Sequence, residues 1–248
     1  MGRQLGTAGG GNHFVEISTV SKVHAKARAR QAGLRSGGLV VLAHSGSRGA
    51  GGALAREWAA AQLTSDEPAA LATYLADLAG ATRFAQANRF ILVWRMLTAL
   101  GAARTSRLGQ ALDLTHNTVE RSEHEGEAVY IHRKGAAPAE RDALTVVLGS
   151  RGTPSVVMEG LGSKQHLCSV AHGAGRRMGR SEALDKLRAR YTKKTVRGGR
   201  VVIYDDARLL FEEHPDAYKP VAPVVRSLER AAMAKSVVDL TPLITVKR

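Results

Sequence analysis

Short apolar runs separated by polar or glycine-rich corners recur along the chain, and each run has the length of a β-strand. Residues 39–43 lead into His44, 111–114 into His116, 129–131 into His132, 144–148 into Gly149-Ser150, and 201–204 into Asp205-Asp206. Between residues 68 and 100 the period changes. Leu71, Leu75, Leu78, Phe84, Ile91, Trp94 and Leu97 follow helical spacing and predict core-facing helices, with Gly80 as the interruption. Thr64-Ser65-Asp66-Glu67-Pro68 predicts their start, since it combines capping side chains, early acid and a first-turn proline. A second helix is expected over 221–235, with Val221, Val225, Leu228 and Ala232 on one side. Residues 31–38 and the basic region up to Gly199 read as flexible, and no internal repeat is present. The order is strands, helices, strands, helix, without regular βαβ alternation. It predicts an α+β fold with mixed sheets and flanking helices rather than a doubly wound sheet, and it places candidate chemistry at strand ends.

Composition narrows the class. With 248 residues the chain is long enough for one large domain or two small ones. The single cysteine, Cys168, cannot close an internal disulfide and argues against a cysteine-based zinc site. The opening residues lack the apolar run of a signal peptide, and no window approaches the roughly 18 apolar residues of a membrane span, so a soluble, cytoplasmic protein without membrane partners is expected. The formal charge of +14, from 36 Lys and Arg against 22 Asp and Glu, favours polyanionic partners. Basic residues gather at Arg176, Arg177, Arg180, Lys186, Arg188, Arg190, Lys193, Lys194, Arg197 and Arg200, either as a phosphate-binding surface or as a solvated face. Aromatic residues form only 4% of the chain, which does not support an extended base-stacking platform.

The segment His172-Gly173-Ala174-Gly175-Arg176 sets an imidazole beside residues small enough for a phosphate to approach the backbone. Neutral imidazole is a competent nucleophile at phosphorus, and Arg176 offers a planar fork of donors to the same anion. Three more histidines stand at glycine-rich or polar corners. His13 follows Gly6-Thr7-Ala8-Gly9-Gly10-Gly11-Asn12, His44 opens His44-Ser45-Gly46-Ser47-Arg48-Gly49, and His116 precedes Asn117. Imidazoles from separate strand ends suit one or two divalent transition-metal ions. Their spacing matches no local metal motif, so hydrogen-bonded structural histidines are the alternative.

Taken together, these segments resemble the RtcB family of GTP-dependent RNA ligases. The resemblance extends through Asn12-His13-Phe14-Val15-Glu16, Phe84-Ala85-Gln86-Ala87-Asn88-Arg89, Arg133-Lys134-Gly135-Ala136, Gly149-Ser150-Arg151-Gly152, Cys168-Ser169-Val170-Ala171-His172, Ala217-Tyr218-Lys219 and Val246-Lys247, in family order. It implies one RtcB-like catalytic domain over 1–248, Mn²⁺ and GTP as cofactors, and a histidine–GMP intermediate on His172. The GMP then activates an RNA 3′-phosphate, itself available from a 2′,3′-cyclic phosphate, and a 5′-hydroxyl end displaces it, as in RNA repair or tRNA splicing. The family's manganese ligands fall on His13, His44 and His116. Its guanylate contacts fall on Asn12, Glu16, Asn117, Gly149, Ser150, Ser155, Gly173, Ala174, Gly175 and Lys247.

Two departures stand out. The family carries an upstream Asp-x-Gly-Cys-Gly segment whose aspartate and cysteine also bind metal, and this sequence begins after it. An N-terminally shortened member is therefore expected, with weak binding of one ion at a time, apolar surface left uncovered, and a separate N-terminal fragment or an archease-type activator as possible partners. Cys168 lies in a different motif and does not replace the missing ligand. Leu148 and Arg151 occupy a loop that usually reads Pro-Gly-Ser-Met-Gly, and Arg151 either adds a phosphate contact or intrudes on the nucleotide pocket. The alternatives to a ligase are a noncatalytic nucleotide- or RNA-binding remnant, half of a split ligase, or a phosphodiesterase that only opens cyclic ends.

Overall fold

The computed structural model describes residues 4–61, 67–105, 111–197 and 200–247. The expected helix start at Thr64, Ser65 and Asp66, and Gly199, lie outside the described residues. In chain order the elements are β1 (Phe14–Val23), α1 (Lys26–Gln31), β2 (Leu39–His44), α2 (Gly49–Ala61) and α3 (Pro68–Ala99). Then come β3 (Asn117–His124), β4 (Glu127–Lys134), β5 (Ala136–Pro138), β6 (Leu144–Val147), β7 (Ser155–Gly160) and β8 (Ser169–Ala171). The last group is α4 (Arg180–Arg190), β9 (Val201–Tyr204), α5 (Leu209–Glu212), α6 (Val221–Arg230) and β10 (Ala234–Lys247).

The main sheet runs β2-β1-β10-β7-β6, with β9 also paired to β10. All its pairs are antiparallel except β9 with β10. The 14-residue β10 reaches so many partners because β7 pairs with its first half and β9 with its last four residues. Register shifts beside Ser18 and Lys22 bend β1, and Pro242, which has no N–H to donate, sits opposite Ser18 at one of them. One face of the sheet packs Met158, Val147 and Val156 against Val221, Val225 and Leu228 of α6. Val20, Val157, Val237, Val238 and Leu240 form a second cluster with Ala29 of α1. The α+β expectation holds, and β2, β6 and β9 form where the apolar runs at 39–43, 144–148 and 201–204 place them.

Several local expectations are corrected. Residues 111–115 form no strand, so His116 precedes β3 rather than ending an element. His132 lies inside β4 and is exposed, because inward positions there belong to Ile131 and Arg133. Gly80 does not interrupt α3, which runs through it as one 32-residue helix. Its buried residues are Ala85, Asn88, Leu92 and Leu97, while Trp94 is 44% exposed instead of core-facing. The second helix stops at Arg230, where Ala232 takes a positive φ of 51° and turns the chain into β10, so Lys235 is a strand residue. Of the 31–38 stretch, Gln31 ends α1 and residues 32–38 form a turn tied to β1 by hydrogen bonds from Val20 N–H to the Gly38 carbonyl and from Gly37 N–H to the Val20 carbonyl. Among the described residues no helix is long and apolar enough to cross a membrane.

Between β2 and α3 lies an apolar trough of about 1030 Å³. Val41, Leu42, Ile91 and Leu114 line it together with Phe90, which is 55% exposed, and it ends at His44, His116 and His172. This is the open apolar surface in the part of the chain that carries the histidines.

Candidate active site

Four separate backbone segments bring the histidines together. His44 is the last residue of β2, paired with Phe14 at the start of β1, which puts His13 one residue beyond that register. His116 enters from the irregular segment before β3, and its carbonyl accepts from Gly135 N–H. His172 follows β8, and its own N–H donates to the Gly135 carbonyl. Gly135, at a φ of 72° between β4 and β5, thereby fastens both histidine segments to one turn.

Ring geometry follows from these anchors. The Nε2 atoms of His44 and His116 lie 3.2 Å apart. His116 stacks on His172 with centroids 4.0 Å apart and an interplanar angle of 19°. His13 stands edge-on to His44, with centroids at 5.5 Å and an angle of 86°. His44 Nδ1 is 3.2 Å from the Asn12 carbonyl and His172 Nδ1 is 2.7 Å from the Gly135 carbonyl, so Nδ1 carries the proton in both rings and Nε2 keeps its lone pair. The Nδ1 atoms of His13 and His116 are buried without a hydrogen-bond partner. Ligand atoms of His44, His116 and His172 fall within 4.8 Å of one another, the only such trio among the described residues. Burial, with Arg48, Lys247 and Arg180 adding to it, pushes His13 down to about 4. Burial and then His172 push His116 to about 4, and His44 is held well below the usual imidazole range by burial and by its histidine neighbours. Neutral imidazoles with free lone pairs are the donor set that fits a divalent transition-metal ion.

A small cavity of about 110 Å³ shares His44 and His172 with this cluster. Eight of the ten residues expected to contact guanylate line it: Asn12, Glu16, Gly149, Ser150, Gly173, Ala174, Gly175 and Lys247. Asn117 does not; it is exposed at the start of β3, opposite Lys134. Ser155 stands behind the lining, where its Oγ accepts from Gly149 N–H at 3.1 Å. Gly149 has no room for a side chain, since a Cβ there would sit 2.3 Å from the Pro154 carbonyl oxygen.

The cavity floor is charged and buried. Glu16 accepts from Ser18 Oγ at 2.9 Å and from Thr245 Oγ1 at 2.8 Å, yet burial still raises its carboxyl above the usual range. Lys247 is 4% exposed and donates to the Gly11 and His13 carbonyls at 3.3 Å, which fixes it in the last strand. Burial pushes its ammonium down to about 8, with Glu213 and Glu16 opposing the shift.

Among the lining residues to which the sequence reading gave no role are Glu213, Tyr218 and Thr245. Glu213, whose side chain is 1% exposed, accepts from Arg176 Nη1 at 3.0 Å and from the Tyr218 hydroxyl, and lies 3.9 Å from Lys247 Nζ. Tyr218 sat in a quoted motif without a role, and its phenol is pushed upward by burial and by Glu213. Nothing in the local pattern marks Glu213 as buried. Arg176 does not aim its fork at an open phosphate site: Glu213, Tyr218, the Glu212 carbonyl and the Met178 carbonyl take four of its five N–H donors and engage all three of its nitrogens. Arg151 is likewise turned inward, donating through Nη2 to the Val196 and Leu210 carbonyls, and burial lowers it to about 10. Cys168 is absent from the histidine group and sits in a turn at φ 44°, with its carbonyl accepting from Ala139 N–H.

Comparison with known proteins adds an independent finding. A family model described as tRNA-splicing ligase RtcB matches residues 1–248. The chain is 36% identical over 251 residues to RNA-splicing ligase RtcB2 of Escherichia coli, covering 98% of this chain and 64% of that protein. It is 30% identical over 286 residues to RNA-splicing ligase RtcB of Mycobacterium tuberculosis, covering 98% and 65%. With tRNA-splicing ligase RtcB of Archaeoglobus fulgidus the identity is 33% over 286 residues, covering 97% and 58%. The chain thus spans less than two thirds of the length of these relatives.

Proposed function

Because the chain belongs to the RtcB family of tRNA-splicing ligases, we propose that it joins RNA ends, linking a 3′-phosphate or 2′,3′-cyclic phosphate to a 5′-hydroxyl at the expense of GTP. The observation that carries this reading is the position of His172. Its Nδ1–H is held by the Gly135 carbonyl, which leaves the Nε2 lone pair free where the histidine cluster meets the small polar cavity. Attack of Nε2 on the α-phosphorus of GTP forms an N–P bond, breaks the P–O bond to the leaving group and releases pyrophosphate. The Gly149-Ser150 corner and the amides of Gly173, Ala174 and Gly175 cradle the phosphates, and the buried Glu16 accepts from the guanine edge. Lys247 supplies the positive charge of the cavity floor. A divalent ion such as Mn²⁺, taken by His13, His44 and His116, would neutralise triphosphate charge.

The test is incubation with GTP, Mn²⁺ and a short RNA bearing a cyclic phosphate and a 5′-hydroxyl, followed by end-group analysis. Joined product supports the ligase. Conversion of the cyclic end without joining supports the phosphodiesterase, and salt-dependent binding alone supports the remnant. Joining that appears only after adding an N-terminal fragment or an archease-type activator assigns that partner.

Lys247 also sets a pH dependence. Its ammonium is present below about 8 and lost above it, so metal-free binding of a fluorescent GTP analogue is expected to weaken about tenfold or more between neutral and alkaline pH, the worth of one charge-assisted hydrogen bond. A Lys247→Met variant should bind weakly with a flat profile. Parent affinity that does not change across that pH range would remove Lys247 from the nucleotide site.

A further inference from the structure

We infer, taking GTP as the ligand as the proposed function does, that Glu213 is a positioning residue for nucleotide binding. Acting through Arg176 and Tyr218, it fixes the far end of the Gly173-Ala174-Gly175 cradle and sets how tightly the nucleotide is held, while the nucleophile His172 is anchored elsewhere.

Glu213, Arg176 and Tyr218 close a ring of hydrogen bonds. Arg176 Nη1 donates to Glu213 Oε1 at 3.0 Å and to the Tyr218 hydroxyl at 3.1 Å, and that hydroxyl donates to Glu213 Oε2. Each member holds the other two, and the carboxylate, with its side chain 1% exposed, has both oxygens engaged. Hydrogen bonds to an ionised acceptor are roughly twice as strong as neutral ones, so the ring depends most on Glu213. Arg180 Nε at 3.7 Å and Lys247 Nζ at 3.9 Å stand beyond hydrogen-bond reach of it and add charge attraction only. The Tyr218 hydroxyl has spent its one hydrogen on Glu213 and has none to give a ligand in the cavity that Tyr218 lines. One face of its ring lies against the Arg176 guanidinium, 4.9 Å from the centroid.

This ring sits where two backbone segments are strapped together. Arg176 and Tyr218 form an antiparallel bridge, and on either side Lys219 N–H donates to the Gly175 carbonyl and Arg177 N–H to the Ala217 carbonyl, both at 2.9 Å. Gly175, at a φ of 75°, turns the cradle into the strap. Glu213 is set from outside the cavity. It follows α5, whose Leu210 and Phe211 are buried with Ala183 and Leu187 of α4. The cradle thereby rests on the α4–α5 core through the Glu213 carboxylate.

His172 is held by different atoms. Its Nδ1 and its N–H both meet the Gly135 carbonyl, and its own carbonyl accepts from Leu148 N–H. None of these bonds involves the ring, so disturbing the ring shifts the cradle and leaves the nucleophile in place.

Two variants break the ring in different ways. Glu213→Gln keeps the size and removes the charge, and Tyr218→Phe keeps the aromatic ring and removes the hydroxyl. Each is expected to weaken metal-free binding of a fluorescent GTP analogue about tenfold or more. The double variant should bind no worse than the weaker single one, because both substitutions act on the same ring. With Mn²⁺ and GTP radiolabelled at the α-phosphate, the half-saturating GTP concentration should rise by a similar factor, while the maximal labelling rate stays within about threefold of the parent. A merely structural role would lower the folded fraction seen by circular dichroism and leave the affinity of the folded protein unchanged. Tyr218→Phe alone, with the same expected rise, carries the test if Glu213→Gln does not fold. Folded variants that bind like the parent, single effects that multiply in the double variant, or a loss confined to the maximal labelling rate would overturn the positioning role. A parent that binds the analogue but takes no label would sink the ligase reading, and the binding results would still decide the role of Glu213.

Discussion

Incubated with Mn²⁺ and GTP radiolabelled at the α-phosphate, the chain is expected to acquire an acid-labile label that survives denaturing electrophoresis, and the His172→Ala variant is expected to acquire none. The difference should be on the order of 10³ or more, because removing a nucleophile deletes the bond that is formed rather than weakening an interaction around it. The geometry makes the assay specific to one residue. His13, His44 and His116 all have a ring in the cluster, but of these only His44 also lines the small cavity, and its Nε2 is engaged with His116. His172 has its Nδ1 committed to Gly135 and a ring stacked on His116, so its Nε2 is held in place without being used up by protein. Equal labelling of the variant would move the chemistry to another side chain. An unlabelled but folded parent would leave nucleotide or RNA binding as the function to pursue.

Replacing Asn88 by leucine should be the most damaging single change outside the site, costing roughly 3–5 kcal/mol in urea denaturation, since five hydrogen bonds of one fully buried amide are lost at once and the Gly6 and Thr7 N–H groups lose their acceptor. Asn88 is fully buried on α3. Its Oδ1 accepts from Gly6 N–H at 2.6 Å and Thr7 N–H at 3.2 Å, and its Nδ2 donates to the Thr7 carbonyl, Ser45 Oγ and the Gly46 carbonyl. One amide thereby ties the glycine-rich loop before His13 to the corner after His44. Its neighbour Arg89 extends the same connection, donating to the Ser45 carbonyl and to both carboxylate oxygens of Asp113, three residues before His116. Loss of Asn88 is therefore expected to reduce metal affinity as well as stability. A stability loss under about 1 kcal/mol would mean that water or a shifted loop replaces these bonds, and that α3 does not organise the histidines.

Local sequence determined a good part of this molecule. Strand-length apolar runs bounded by polar corners placed β2, β6 and β9, because run length and turn residues at both ends are visible without knowing what the strand packs on. The lack of βαβ alternation placed the α+β class, and the His172-Gly173-Ala174-Gly175 segment marked the chemistry because small residues beside an imidazole leave a local signature. Most of the residues read as guanylate contacts gather on one cavity for a related reason: they sit at glycine or serine corners, where backbone can approach a ligand.

What the sequence could not decide depends on partners distant in the chain. Trp94 follows helical spacing yet is 44% exposed, since the buried face of α3 runs through Ala85, Asn88, Leu92 and Leu97 and position 94 lies about 200° around the helix from Leu92. Strand β10 carries polar residues and Pro242 along its length, so its role in the centre of the sheet shows only when β1, β7 and β9 are paired to it. Glu16 meets Thr245, and Lys247 meets His13, across most of the chain, while Glu213 reaches Lys247 from the segment after α5. A carboxylate or ammonium has the same local pattern whether solvated or buried. Its burial, its proton affinity and the ring nitrogens a metal would meet are set by the tertiary neighbours that replace water around it.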